Sequence, residues 1–289
     1  MARVAVIGLG AMGQRIATRM LDRGHQVQVW SRNREATAAL EQKGARPVGT
    51  AAQAAELSEL AIVMVSDGKA LQSVTEGPDG VLSAETLPAL LQMSTVAISD
   101  VARLSAALPA GAELIDSPVL GSLAEAESGT LRLLIGADDS VYGKWEGILQ
   151  DLGAPELIGP PGSGTAAKLV ANSALFGVVG LLGETLELAK HLGLGTDDAF
   201  RVLSYTPLAA QAERRRVSIT TGEYPPRFTL SLARKDADLI AAAGADGGAD
   251  LRLADAVRSL LLDAEEAGWG PYDYTAVLAH LTGQRPPTT

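Results

Sequence analysis

Short apolar runs recur along the first 160 residues, separated by segments in which apolar positions repeat every three to four residues. Such runs are typical of strands buried on both faces of a parallel sheet, and the intervening segments have the period of amphipathic helices. The predicted strands are Arg3–Gly8, Gln26–Trp30, Leu60–Val65, Pro88–Met93, Glu113–Asp116, Leu131–Gly136 and Pro155–Ile158. This alternation predicts an α/β domain with a doubly wound parallel sheet over residues 1–160.

A long helix is predicted where this alternation stops, over residues 162–190. Apolar or small residues lie on all its faces, and the 15 residues from Leu169 to Gly183 carry no charge. This stretch is shorter than the ~20 residues that cross a bilayer, so we predict a helix buried in protein and no membrane partner. Glycines at intervals of three residues leave a groove for another helix: Gly177, Gly180 and Gly183.

The rest of the chain shows helical patterns and no strand pattern. Helices are predicted near Thr196–Leu203, Leu208–Thr220, Thr229–Gly244, Asp250–Ala267 and Tyr274–Leu281, before a frayed tail over 283–289. The sequence therefore predicts a second, all-α domain over residues 161–289 that begins with the long helix. A helix that is apolar all round needs more cover than one small domain supplies, which favours assembly with a second copy.

Composition narrows the possible partners. The chain has 289 residues and a net charge of −10, which disfavours nucleic acid and anionic membrane surfaces. It has no cysteine, and its three histidines are scattered, so no metal site is expected. The N-terminus enters a strand without the pattern of a signal peptide, and we expect a cytoplasmic protein.

A G-x-G-x-x-G motif follows the first predicted strand and precedes a helix, which is the context of a Rossmann-type dinucleotide site. The first glycine permits a tight turn, the second lets the backbone approach the pyrophosphate, and the third lets helix and strand pack closely. The unpaired N–H groups of the helix N-terminus then face the phosphates. The predicted cofactor contacts here are Gly8, Leu9, Gly10, Ala11, Met12 and Gly13.

The end of the second predicted strand bears on the choice of dinucleotide. An NAD enzyme usually carries Asp or Glu here to bind the ribose hydroxyls, and this chain has neither. Two guanidinium groups are present instead and can bind a 2′-phosphate, which favours NADPH over NADH. The alternative is that both arginines lie in a solvated loop. The residues concerned are Ser31, Arg32, Asn33 and Arg34.

Other predicted strands also end in candidate ligand-binding residues. Because ligands bind at the carboxyl ends of parallel strands, we expect Val65-Ser66, Ser94-Thr95 and the loop that begins at Asp116 around one crevice. We assign Val65, Ser66 and Thr95 to the cofactor.

Two polar residues, Lys168 and Asn172, interrupt the long helix near its start. Their i, i+4 spacing puts them on one face of the helix. Taken alone, the pair has a simpler interpretation, in which Lys168 extends to solvent and Asn172 caps a neighbouring loop.

Four blocks, in order, resemble the β-hydroxyacid dehydrogenase family, which includes 3-hydroxyisobutyrate dehydrogenase and the 6-phosphogluconate dehydrogenase superfamily. Gly8–Gly13 is similar to the family's GLGxMG cofactor loop, and Asp116–Ser122, extended to Leu131, is similar to its substrate block DAPVSGG with A-x-x-G-T-L. Gly162–Asn172 is similar to GxGxxxKxxNN, and Phe228–Asp236 is similar to FxLxLxxKDLxLA. The resemblance spans nearly the whole chain.

The resemblance implies an NADP-dependent oxidoreductase that moves hydride between the nicotinamide and a small oxo acid or semialdehyde. It implies that Lys168 is the catalytic acid/base, that Asn172 orients it, and that Lys235 reaches the cofactor. Carbonyl reduction needs a proton at the oxygen, which a partly desolvated lysine can supply. The resemblance also implies a homodimer that forms through the helical domains. The implied substrate contacts are Ser117, Pro118, Val119, Leu120, Gly121, Ser122, Lys168 and Asn172.

This chain departs from the family pattern in its substrate block. Leu120 replaces the family's serine, Ser122 adds a hydroxyl two residues later, and Ser173 replaces the second asparagine. These changes favour a substrate other than hydroxyisobutyrate. Two alternatives remain open. Related imine reductases and reductive aminases share the fold but usually lack the lysine found here at Lys168, as do relatives that serve as catalytically silent dinucleotide-binding modules.

Overall fold

The computed structural model describes residues 1–287, so the last two residues of the predicted tail lie outside the described chain. The chain forms two compact units, Met1–Lys168 and a second unit from Leu169 onward. This division falls inside the long helix, a little beyond residue 160, where the sequence pattern changes.

The first unit contains a sheet of nine strands in the described residues. They are β1 (Arg3–Ile7), β2 (Gln26–Trp30), β3 (Arg46–Pro47), β4 (Leu60–Val63), β5 (Ala89–Gln92), β6 (Glu113–Asp116), β7 (Val119–Leu120), β8 (Leu131–Gly136) and β9 (Gly153–Gly159). Their order is β3-β2-β1-β4-β5-β6-β8-β7, with β9 also paired to β8. Pairing is parallel except where β8 meets β6 and β7. The order reverses between β1 and β4, the position at which such sheets bind ligands.

Helices cover both faces of this sheet. They are α1 (Ala11–Asp22), α2 (Arg34–Glu41), α3 (Ala51–Glu56), α4 (Gly68–Glu76), α5 (Ile98–Ala107), α6 (Leu123–Ser128) and α7 (Asp139–Leu152). In β1, Val4 and Val6 pack in the core that contains α1, α2, α6 and α7, whereas Ala5 and Ile7 pack in the core that contains α3, α4 and α5. Both sets are fully buried, which confirms the doubly wound sheet and explains its continuous apolar runs.

Two strands were not predicted, β3 and β7. Each has only two residues, too few to show a period in the sequence. β7 nevertheless matters for the site, because its antiparallel pairing with β8 fixes the backbone at Val119 and Leu120.

The second unit is helical, as predicted. Its helices are α8 (Ser163–His191, which begins in the first unit), α9 (Thr196–Leu203), α10 (Ala209–Thr221), α11 (Leu230–Asp246), α12 (Arg252–Ala264) and α13 (Val277–Leu281). A π-helical turn at Glu265–Trp269 and a 3₁₀ turn at Tyr274–Ala276 connect the last two. The core of this unit includes Phe176, Phe200 and Trp269.

Two of the three glycines of α8 meet other helices as the sequence suggested. A Cβ at Gly180 would lie 3.2 Å from Val257 of α12, and one at Gly183 would collide with Leu281 of α13, whereas Gly177 faces open space. Other faces of α8 remain uncovered in the single chain: Val170 is 72% exposed and Leu181 is 54% exposed.

By length and composition, α8 could also cross a membrane, and 39% of its most apolar 18-residue window is buried within the chain. Core helices of soluble proteins meet the same criterion, so this property is weak evidence for a membrane span.

Candidate active site

The glycine loop between β1 and α1 leaves room for a ligand at one glycine and none at the other two. Gly8 has a φ of +93°, and a Cβ there would collide with the Met64 carbonyl. A Cβ at Gly13 would collide with the Gly8 carbonyl, so α1 packs directly on the loop. Gly10 is exposed, and a Cβ there would meet nothing within 4 Å. A pyrophosphate can therefore approach the backbone at Gly10.

The N-terminus of α1 carries no side-chain cap, since Gly10 is the N-cap residue. Its N–H groups are thus oriented toward an external anion, and the loop fits a dinucleotide. The neighbouring side chains differ in their surroundings: Leu9 is buried in the core, Met12 packs against that core, and Ala11 is exposed. Leu9 can therefore contact a cofactor only through its backbone.

Residues 31–34 follow β2 next to the glycine loop, because the Gly8 N–H donates to the Trp30 carbonyl oxygen at 3.0 Å. Arg32 and Arg34 are exposed, and neither has an ion pair among the described residues. Asn33 has a structural role as the N-cap of α2, where its side chain accepts from the Glu35 N–H. The two arginines are available for a phosphate, and Asn33 holds the loop that presents them.

The loops after β4 and β5 are joined by Ser94. Its buried hydroxyl accepts a hydrogen bond from the Val65 N–H at 2.9 Å, and Gln92 accepts from the Ser94 N–H. Ser66 instead donates to Asp67. Val65 and Thr95 thus lie on neighbouring loops at the carboxyl edge of the sheet, as the crevice hypothesis requires.

Asp116, at the end of β6, holds the first turn of α8. Its fully buried carboxylate accepts from the Thr165 N–H at 2.7 Å and from the Thr165 hydroxyl at 2.6 Å. Burial raises the pKa of Asp116, although these hydrogen bonds oppose the shift. The contact is close because a Cβ at Gly164 would collide with the Asp116 carbonyl.

Lys168 lies one turn further along α8 and reaches back to the same loop. Its Nζ donates to the Val119 carbonyl oxygen at 2.8 Å, and its side chain is half-buried. Asp116 and Val119 therefore attach the loop over residues 116–122 to α8 at two points. The amine is held against this loop, unlike a side chain that extends into solvent.

Two hydroxyls of this loop have no hydrogen-bond partner. Ser117 Oγ and Ser122 Oγ are both buried and unpaired, which is costly unless a ligand or water occupies the site. Pro118 lies between Ser117 and Val119 in the sequence. The side chain of Leu120 is half-buried, and Gly121 has a φ of +130°. The loop thus presents two polar hydroxyls and one apolar side chain.

In the second unit, Asn172 and Lys235 meet through Asp236. Asn172, 1% exposed, donates to Asp236 Oδ2 at 2.8 Å, and Lys235 Nζ lies 2.8 Å from Asp236 Oδ1. The ion pair lies within α11, and the Asn172–Asp236 hydrogen bond connects α8 to α11. Asp236 therefore positions two of the residues that the sequence had assigned to catalysis and cofactor binding.

Two residues were missing from the predicted site, Thr165 and Asp236, and the contact between Asp116 and Thr165 was not predicted. Each lies inside or beside a recognised block, but no local pattern shows that its side chain bonds to a residue far along the chain. Contacts of this kind could have been suspected for the carboxylates of Asp116 and Asp236, because an acid in an apolar run is rarely buried without a partner.

Two protein-family models together match nearly the whole chain. Residues 3–168 match the model for the NAD-binding domain of 6-phosphogluconate dehydrogenase, and residues 162–281 match that for the NAD-binding region of NADP-dependent 3-hydroxyisobutyrate dehydrogenase. The chain is 34% identical to 3-sulfolactaldehyde reductase of Escherichia coli (strain K12), over 97% of this chain and 96% of that protein.

Solved structures extend the similarity to the whole fold. The structure of Mycobacterium tuberculosis 3-hydroxyisobutyrate dehydrogenase with L-serine matches at a TM-score of 0.88 and 24% identity, covering 97% of this chain and 99% of that one. The structure of an imine reductase from Pseudomonas sp. matches at a TM-score of 0.64 and 25% identity, covering 96% of this chain and 98% of that one. With family models matching along both units and a relative above 30% identity over nearly its full length, this chain belongs to the β-hydroxyacid dehydrogenase family of NAD(P)-binding oxidoreductases.

Proposed function

We propose that this chain is an NADPH-preferring oxidoreductase that interconverts a small oxo acid or semialdehyde with its hydroxy acid, using Lys168 as acid/base. The observation that carries the proposal is the 2.8 Å contact between Lys168 Nζ and the Val119 carbonyl. It holds an amine against the loop of the family's substrate block, where two serine hydroxyls have no partner.

The cofactor supplies or accepts the hydride when it is bound. Backbone N–H groups at Gly10 and the α1 N-terminus would hold its pyrophosphate, and Arg32 and Arg34 would hold the 2′-phosphate of NADP. Val65, Ser66 and Thr95 would line the nicotinamide side, and the family resemblance assigns Lys235 to the cofactor as well.

Lys168 has the role of moving a proton. As a carbonyl oxygen gains charge, the Lys168 ammonium donates a proton to it, and in the reverse direction the neutral amine accepts the proton of the hydroxyl. The Val119 carbonyl orients Nζ, and Asp236 fixes Asn172. Ser117 and Ser122 would donate hydrogen bonds to the acidic group of the substrate, and Leu120 would contact its carbon chain.

The uncovered faces of α8 support assembly as a homodimer. Val170, Leu181 and Leu188 are all more than half exposed in the single chain, and a second copy would remove them from water. Light scattering at working concentration should give twice the chain mass, whereas a monomer mass would contradict the assembly. We also propose a cytoplasmic location, and the net charge of −10 disfavours nucleic acid or an anionic membrane surface as a partner.

The test is the loss of NADPH absorbance, with NADH in parallel, on glyoxylate, succinic semialdehyde, methylmalonate semialdehyde, and a cyclic ketone with and without an amine. We expect turnover on an oxo acid or semialdehyde. Turnover only with ketone plus amine would instead support imine reduction, the activity named for the Pseudomonas relative. No turnover on any substrate, with NADPH bound, would contradict the proposal and favour a silent binding module.

A further inference from the structure

A buried glutamine lies at the edge of the sheet that carries the candidate site. Gln92 ends β5 and is 0% exposed, although its side-chain amide has an acceptor oxygen and a nitrogen with two hydrogens. Burial of an amide is costly unless these groups are hydrogen-bonded, so its partners show what the position requires. No motif of the sequence assigns a role to this residue.

The side chain of Gln92 binds both backbone groups of Ser94. Its Oε1 accepts from the Ser94 N–H, and its Nε2 donates to the Ser94 carbonyl oxygen at 2.9 Å. Because both groups are held, Ser94 keeps the backbone conformation in which its hydroxyl accepts from the Val65 N–H at 2.9 Å. Gln92 therefore fixes how the loop after β4 meets the loop after β5.

The same residue contacts the end of the neighbouring strand, β6. Gln92 and Asp116 lie directly opposite each other in the parallel pairing of β5 with β6. A hydrogen bond from the Gln92 side chain is one of the contacts that oppose the rise in the pKa of Asp116 caused by burial. The backbone carbonyl of Gln92 also accepts from the Ser117 N–H at 2.7 Å. Gln92 thus contacts the carboxylate that holds the start of α8.

We propose that Gln92 is a positioning residue, which fixes the nicotinamide side of the cofactor site relative to the amine of Lys168. On one side it acts through Ser94 on the loop after β4. On the other side it acts through Asp116 on the start of α8, which carries Lys168. All four residues lie in the first unit. The proposal rests on the proposed function and names the residue on which the alignment of hydride and proton transfer depends.

Alignment affects the rate because the hydride and the proton are delivered to the two ends of one carbonyl bond. A displacement of about 1 Å in a reacting group lowers the rate by about 100-fold. Pyrophosphate binding depends instead on the glycine loop after β1, and β4 lies between β1 and β5 in the sheet. Loss of the Gln92 amide should therefore lower kcat much more than it weakens NADPH binding.

The test is Gln92→Met, which keeps the length of the side chain and removes its hydrogen bonds. We expect kcat for the oxo acid or semialdehyde to fall about 10- to 100-fold, with the dissociation constant for NADPH within about threefold. Gln28→Met is the matched control, because Gln28 is another buried glutamine of this sheet, hydrogen-bonded to Ser58. It should keep kcat within about twofold.

A double-mutant cycle tests whether Gln92 acts through Ser94. Ser94→Ala removes only the hydroxyl that accepts from Val65 and should lower kcat by a smaller factor. The combined variant should lose less than the product of the two single losses, since both changes release the same contact. If Gln92→Met does not fold, Ser94→Ala tests this contact alone, and an unchanged kcat would overturn the proposal.

Hydrogen exchange with NADP⁺ at saturation separates this proposal from the proposed function, because it needs no turnover. In Gln92→Met, the amides of Val65 and Thr165 should both exchange about tenfold faster or more, while the Gly8 amide, bonded to Trp30, should not change. This result supports the positioning role even if no carbonyl substrate is turned over. Unchanged exchange at Val65 or Thr165, an equal rise at Gly8, or an equal loss of kcat in Gln28→Met would overturn it.

Discussion

The carboxylate of Asp116 accepts both the backbone N–H and the hydroxyl of Thr165, at 2.7 and 2.6 Å. This contact sets where α8 begins relative to the end of β6. Lys168 follows Thr165 by three residues. The contact between Asp116 and Thr165 therefore also fixes the distance between the Lys168 amine and the loop over residues 116–122. The position of the proposed acid/base therefore depends on a hydrogen-bonded carboxylate that need not touch substrate.

Removal of one of these bonds should destabilise the first unit. Thr165→Val keeps the side-chain volume but leaves a buried carboxylate oxygen without its hydroxyl donor. We expect the free energy of unfolding to fall by about 1–3 kcal/mol, measured by urea denaturation. Thr165→Ser retains the hydroxyl, so its free energy of unfolding should fall much less. An equal fall in the two variants would show that the hydroxyl bond to Asp116 does not stabilise the unit.

Lys168→Met should abolish most turnover while leaving the cofactor site intact. Without the ammonium group, no proton reaches the developing alkoxide, and kcat should fall about 10²- to 10⁴-fold. NADPH affinity, measured by fluorescence titration, should change little. Lys190→Met, at the exposed far end of the same helix, is the control and should retain activity. An unchanged rate in Lys168→Met would remove the lysine from the proposed role.

Two glycines of the same loop should respond differently to alanine. A Cβ at Gly13 collides with the Gly8 carbonyl, so Gly13→Ala should lower thermal stability. A Cβ at Gly10 meets no protein atom, so Gly10→Ala should fold normally but bind NADPH about tenfold more weakly or worse, because the methyl group occupies the approach to the pyrophosphate. Normal cofactor affinity in a folded Gly10→Ala protein would place the dinucleotide elsewhere.

Cofactor preference should depend on the two exposed arginines after β2. The double variant Arg32→Ala with Arg34→Ala removes both candidate ligands of the 2′-phosphate. We expect KM for NADPH to rise about 10- to 100-fold and KM for NADH to stay nearly constant. Steady-state kinetics with both cofactors measures this. A parallel rise for NADH would indicate that the arginines support the loop and do not recognise the phosphate.

The free energy of unfolding at low pH should depend on Asp151. This residue lies near the end of α7, and its carboxylate contacts Arg23 and His25 in the turn between α1 and β2. Burial would raise its pKa, but hydrogen bonds from His25 at 2.9 Å and Arg23 at 2.6 Å outweigh burial and lower it. A pKa that is lower in the folded chain stabilises the fold above the usual value near 3.8, and this contribution is lost as pH falls through the folded value.

Asp151→Asn should therefore lower the free energy of unfolding by about 1 kcal/mol at pH 7. The difference in this free energy between the variant and the unchanged chain should shrink toward pH 3. Urea midpoints at several pH values test this. A difference that is constant across the range would show that charge at Asp151 does not contribute.

Much of the fold could be predicted because its information is local. The continuous apolar run of β1 and the three-residue spacing of Gly180 and Gly183 are each encoded within one element. The glycine loop was likewise predictable, since its turn and close packing need residues without a side chain. Short strands such as β7 were missed because two residues carry no period.

The sequence by itself determined the order of strands and helices, the place of the dinucleotide loop and the candidates Lys168 and Asn172. Only the tertiary structure decided what these side chains meet. Lys168 bonds to a carbonyl 49 residues away, and Asn172 to a carboxylate 64 residues away. The reason is that a hydrogen bond forms only within about 3 Å and in a narrow range of angles. Such geometry is fixed by how whole elements pack, which no local period records.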